Sequence, residues 1–111
     1  MFHQVDQGAV RVIAGVGPLN HESAAEARAL LQPCLIAGQP LAVFDLEHIS
    51  LMDSVGLEML VQTHEEFARR GGAFKLAAPN PLCRDILHLT QLDKRLEIFA
   101  TSRAAVGSFL K

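Results

Sequence analysis

The sequence predicts an α/β domain with a mixed, mostly parallel sheet of about five strands and about four helices. Three observations carry that expectation. Leu41-Ala42-Val43-Phe44-Asp45-Leu46 is a nearly continuous apolar run, as in a strand buried on both faces. Beyond Ser54, apolar residues recur at three- and four-residue steps, the period of an amphipathic helix. Strand-like and helix-like segments then alternate to the end of the chain, the order that parallel sheets with crossover helices impose.

The elements follow in turn. Phe2–Asp6 is a short first strand, and Gly8 turns it back into Ala9–Val16, where Val10, Val12, Ala14 and Val16 alternate with a period of two. Gly17-Pro18 breaks that strand. Asn20 stands as an N-cap before the alanine-rich helix that opens at His21-Glu22. Pro33 predicts a kink or an end in that helix. Ala24, Ala27, Leu31, Cys34 and Leu35 still share a face, as in a kinked continuation towards Gly38-Gln39-Pro40. After the central strand, Leu57, Leu60, Val61, His64, Phe67 and Ala68 mark the second helix, with Leu60 and Val43 expected in the core. Arg69-Arg70 and Gly71-Gly72 end it. Ala73–Ala78 is the next strand, Pro81 opens a helix on Leu82, Ile86 and Leu89, and Asp93 marks a turn. Leu96–Ala100 is the last strand, and Thr101 or Ser102 caps a closing helix through Val106 and Leu110.

Composition narrows the function classes. The 111 residues suffice for one domain, 1–111, with a real core. A net charge of −2 gives no basic footprint for nucleic acid, and the lack of Trp and Tyr removes the usual stacking platforms for bases. No apolar run reaches the ~20 residues of a membrane span. The first residues carry no basic flank and no long apolar core, so no signal peptide is expected and the protein reads as cytoplasmic. Cys34 and Cys83 are read as buried free thiols.

Catalytic patterns do not assemble. His3, His21, His48, His64 and His88 stand in no metal-ligand spacing, and His64 is expected as a partly buried helix residue. A Gly-rich phosphate loop with lysine is absent, so neither a metal nor a cofactor is expected. Ser54, His48 and Asp45 form a triad only on paper, because no nucleophile elbow surrounds Ser54. The reading is of a non-enzymatic protein.

The informative stretch is Met52-Asp53-Ser54-Val55-Gly56-Leu57. It lies where a buried strand gives way to a helix, a place that exposes backbone N–H groups and the positive end of a helix dipole. Ser54 there is either a helix cap or a phosphate acceptor. Asp53 already supplies a cap, which makes a second one redundant. Gly56 costs up to ~1 kcal/mol in a helix relative to alanine and leaves a bare surface for a partner. Met52 and Leu57 are apolar residues flanking a loop expected to be exposed.

Asp53-Ser54-Val55-Gly56-Leu57 resembles the signature of the STAS domain, the module of anti-sigma factor antagonists and of sulphate-transporter tails. Gly17-Pro18-Leu19-Asn20-His21, Leu41–Leu46 and Gly71-Gly72 followed by Phe74-Lys75-Leu76 resemble the family's neighbouring segments, so the likeness spans nearly the whole chain. It implies a single STAS domain. It also implies that Ser54 is phosphorylated by a serine kinase that is itself the anti-sigma factor, and that the phosphate releases that partner. Asp53 would position the hydroxyl. Met52, Gly56 and Leu57 would form the docking surface, with Asn20 and His21 beside it. Two positions depart from the family: Val55 stands where a second hydroxyl is frequent, and Asn20 where antagonists often carry aspartate. Two other roles fit the same resemblance. One is a STAS subunit docked on the ATPase of a phospholipid or organic-solvent transporter, with Ser54 structural. The other is a scaffold subunit of a stress-sensing assembly.

Overall fold

A tight hairpin begins the chain. β1 (Phe2–Gln7) and β2 (Val10–Gly15) pair antiparallel from Phe2↔Gly15 to Gln7↔Val10. The two-residue loop holds Gly8 at φ +64°, a left-handed conformation that glycine accepts. The computed structural model describes residues 2–36 and 38–110, excepting the side chain of Leu110. Met1, Ala37 and Lys111, which the expected domain 1–111 includes, lie outside the described residues.

β3 (Gly17–Leu19), α1 (His21–Leu31), β4 (Leu41–Asp45), β5 (Ile49–Met52), α2 (Ser54–Arg69), β6 (Ala73–Ala77), α3 (Pro81–Leu89), β7 (Ile98–Phe99) and α4 (Ser102–Gly107) follow. The main sheet has five strands in the order β1-β2-β4-β6-β7, parallel except for β1. The expected fold class is therefore present: a single α/β unit, a mostly parallel five-stranded sheet and four helices.

Two details differ from the sequence reading, and one of its alternatives, an end rather than a kink at Pro33, is realised. Gly17-Pro18, expected as a break, lies in β3. That strand pairs in parallel with β5 in a separate two-stranded sheet. Because β3 follows β2 and β5 follows β4, this small sheet continues the β2–β4 pairing beyond its carboxyl end. Pro33 ends the helix: α1 stops at Leu31, and Gln32–Ile36 is a 3-10 turn that still packs Cys34 and Leu35 against the core. The last strand is only Ile98–Phe99, since Leu92–Lys94 forms a 3-10 turn and Leu96 donates back to Leu92.

The core lies mainly on one face of the sheet. Ile13, Phe44, Leu76 and Phe74 meet Ala27 and Leu31 of α1, Leu60 and Phe67 of α2 and Leu87 of α3. A smaller cluster on the opposite face joins Val10, Val12 and Val43 to Ala105 and Val106 of α4. Lys75 is buried beside it. Its amine donates to Ser108 Oγ at 2.7 Å and lies 4.2 Å from the centre of the Phe109 ring, so the charge keeps a partner and an aromatic face. Cys83 is buried and Cys34 half-buried, both free, and burial raises both thiols above their ordinary pKa.

Candidate functional site

Ser54 occupies the first turn of α2, and its geometry follows from Asp53. That residue is extended (φ −98°, ψ −176°), and its Oδ1 accepts the Gly56 N–H at 2.9 Å. The carboxylate thus satisfies a donor that the helix start leaves open. Its backbone N–H donates to Leu19 O at 3.2 Å, which ties the α2 start to the end of β3. Ser54 itself is exposed, and among the described residues no hydrogen bond holds its hydroxyl. The hydroxyl is free of capping duty and open to solvent, at the positive end of a 16-residue helix.

The other expected residues divide. Asn20 and His21 lie beside the site, because Leu19 precedes them and touches the α2 start. Asn20 caps α1: its Oδ1 accepts from Glu22 N at 3.1 Å and Ser23 N at 3.2 Å, and the Ser23 hydroxyl accepts from Asn20 N at 2.8 Å. A neutral amide does this work as well as a carboxylate. His21 is exposed and lines a groove of about 230 Å³ between α1 and α2, with Ala25, Val55, Glu58 and Gln62. Leu57 is half-buried and packs against the core.

Met52 and Gly56 are corrections. Met52, expected at the docking surface, is only 5% exposed and belongs to the main core. Within β5 the burial pattern turns Ile49 and Met52 inward and Ser50 and Leu51 outward. Gly56, expected as a bare surface for a partner, is buried against Leu19. A Cβ there would strike the Leu19 carbonyl oxygen. The glycine is needed inside the domain, where α2 crosses β3 too closely for any side chain.

The exposed apolar residues near Ser54 are instead Leu51 (44%) and Val55 (43%). Sequence reasoning passed over both. Val55 lies off the buried stripe of Gly56, Met59, Leu60, Thr63 and Phe67, and that departure from the helical period was the available signal. Ala68, read as part of the stripe, is exposed.

Asn80 is a further residue that positions the site. Its Oδ1 accepts from Cys83 N at 2.7 Å, capping α3, and its Nδ2 donates to Ile49 O at 2.9 Å. One side chain therefore bolts β5, the strand that delivers Asp53-Ser54, to α3. Asn80→Ala is expected to cost about 2 kcal/mol, from a lost cap and a lost amide donor to the Ile49 carbonyl, which keeps only the weak Cys83 thiol donor at 3.5 Å. Asn80→Asp keeps the cap and loses the donor. Urea unfolding of both reads the two roles, and a change under ~0.5 kcal/mol in Asn80→Ala, the usual surface range, rejects the bolt.

The remaining polar groups form no second centre among the described residues. His48 Nε2 faces Glu47 at 3.8 Å, and Asp45 Oδ1 accepts from Glu47 N at 3.0 Å, so neither bonds Ser54. His64 is half-buried on α2, as expected, with its Nδ1 enclosed and unpartnered. Among the described residues no group of three or more His, Cys, Asp or Glu is placed to hold a metal ion, and no helix is long and apolar enough to cross a membrane.

Comparison with known proteins gives this geometry a lineage. A candidate anti-sigma factor antagonist from Thermotoga maritima superposes with a TM-score of 0.90 at 24% identity, over 99% of this chain and 95% of that one. An anti-sigma factor antagonist from Mycobacterium paratuberculosis gives 0.87 at 26%, over 100% and 94%. SpoIIAA of Bacillus, in its phosphorylated form, gives 0.75 at 22%, over 98% and 99%. No curated protein matches the chain in sequence. The STAS domain pattern matches residues 3–105, nearly the whole chain, and the chain therefore belongs to the STAS domain family.

Proposed function

We propose that this protein is an anti-sigma factor antagonist that binds a serine kinase, itself the anti-sigma factor, and is released when that kinase phosphorylates Ser54. One observation carries the reading. Asp53 caps α2, so the Ser54 hydroxyl stands exposed at the helix start with no hydrogen bond to give up. A phosphate there adds about −1.5 to −2 charge at the end of the helix that tolerates anions. The fold keeps its bonds while the surface gains negative charge. Leu51 and Val55 supply the apolar rim, and His21 and Asn20 flank it. An interface formed around a neutral hydroxyl would then have to dehydrate a dianion, which favours release. The similarity to SpoIIAA, known in a phosphorylated form, supports the same reading.

The test is chemical. Incubation with the kinase and ATP, followed by mass spectrometric mapping, is expected to place a single phosphate on Ser54 and none on the Ser54→Ala variant. Label persisting on that variant removes the assignment.

A further inference from the structure

The two edges of the main sheet are built differently. β7 is two residues long and flanked by Arg84, Lys94 and Arg95, a short charged edge of the kind that resists pairing. β1 has six residues, all but Phe2 exposed, in an unbroken register with β2. It carries no lysine, arginine, proline or bulge. Its one carboxylate, Asp6, is held by Arg11 at 2.9 Å, which keeps the Asp6 pKa below its ordinary value.

We infer that β1 is a self-association surface, pairing antiparallel with β1 of a second copy about a two-fold axis at Val5. The backbone sets the phase. A two-residue loop closes on a hydrogen-bonded pair, Gln7↔Val10, so Gln7, Val5 and His3 bond to β2. Gln4 and Asp6 then point their N–H and C=O groups outward, whereas the Phe2 N–H at the strand's start donates to Glu26 Oε2 of α1 at 2.7 Å. An antiparallel partner strand must match these, which places Gln4 opposite the second copy's Asp6 and Val5 opposite its Val5. The side chains agree. Val43, Val12 and Val5 form one cross-strand row that runs off the sheet at Val5, which is 51% exposed. A second copy continues that row with its own Val5, and no like charges meet. Pairing of residues 3–7 alone buries less than the ~1,000 Å² of a stable interface, so the dimer is weak and concentration-dependent. The surface shares no residue with the Ser54 site.

Sedimentation of the full chain between ~10 µM and ~1 mM, the range of weak self-association, is expected to show mass rising towards a dimer. Gln4→Pro removes only an outward N–H and is expected to stay monomeric while folded. Val5→Lys sets like charges face to face and is expected to do the same. In a Cys34→Ser background, Val5→Cys is expected to cross-link under mild oxidation, because opposed Cα atoms lie ~4.5 Å apart, within disulfide range. His3→Cys is expected not to, since its copy lies ~13 Å along the strand. A wild-type monomer at the highest concentration overturns the inference. So does a dimer of Gln4→Pro equal to wild type, or cross-linking of His3→Cys as fast as Val5→Cys.

Discussion

Leu60→Ala is expected to destabilise the domain by about 2–5 kcal/mol, the range of leucine truncations in packed cores. Leu60 is fully buried on α2, in the cluster that joins α1, the sheet and α3. The loss has two parts: the transfer free energy of the removed carbons and the cavity that rigid neighbours cannot fill. Those neighbours are poor at collapsing. Phe67 and Phe74 brace each other at 5.6 Å, and Arg28 of α1 holds Gln62 and Glu66 of α2 at 2.7 and 3.4 Å. Against a typical total of ~5–15 kcal/mol, the variant loses a large share of its stability. Urea unfolding reads it directly, and a loss below ~0.5 kcal/mol would mean that the buried face of α2 lies elsewhere.

Leu60 and Val43 were legible in the sequence because each lies in a long pattern. The five-residue strand is apolar without alternation, the mark of burial on both faces, and the 16-residue helix repeats its period often enough to fix which side turns inward. β3 and β5 were not, because three or four residues cannot establish a period, and Gly17-Pro18 has the composition of a turn. That one omission caused both errors at the site. Without β3, nothing stands over Gly56, and it reads as open surface. Without the β3–β5 pairing, Met52 reads as loop, although Leu19↔Met52 places it in a sheet. Asn80 was invisible for a related reason. Its cap on α3 is local and readable, but its bond to Ile49 spans 31 residues. The position of Ser54 was readable, since Asp53 before an apolar helical run makes the next residue the first of the helix.

Ser54→Asp is expected to leave thermal stability near wild type and still to weaken binding of the kinase severely. The two effects separate because they act in different surroundings. In the free domain, residue 54 is exposed at the start of α2, where a carboxylate is harmless or stabilises by ~0.3–1 kcal/mol. Asp53 continues to cap the helix through Gly56 N, so no backbone bond is lost. In the complex, the same carboxylate must lose water against a surface fitted to a hydroxyl. An interfacial charge left unpaired costs ~2–5 kcal/mol, roughly thirty-fold to several-thousand-fold in affinity. Ser54→Ala removes a small group with no bond of its own and is expected to bind as wild type does. Titration calorimetry of both variants, beside their melting curves, separates binding from folding. Equal affinities reject a phosphoswitch and favour a constitutive docking role on a transporter ATPase, in which Ser54 is not a switch. Aspartate carries less charge than phosphate and fewer acceptor oxygens. Stoichiometrically phosphorylated protein is therefore expected to bind more weakly still than Ser54→Asp, and binding stronger than that variant would contradict a charge-driven release.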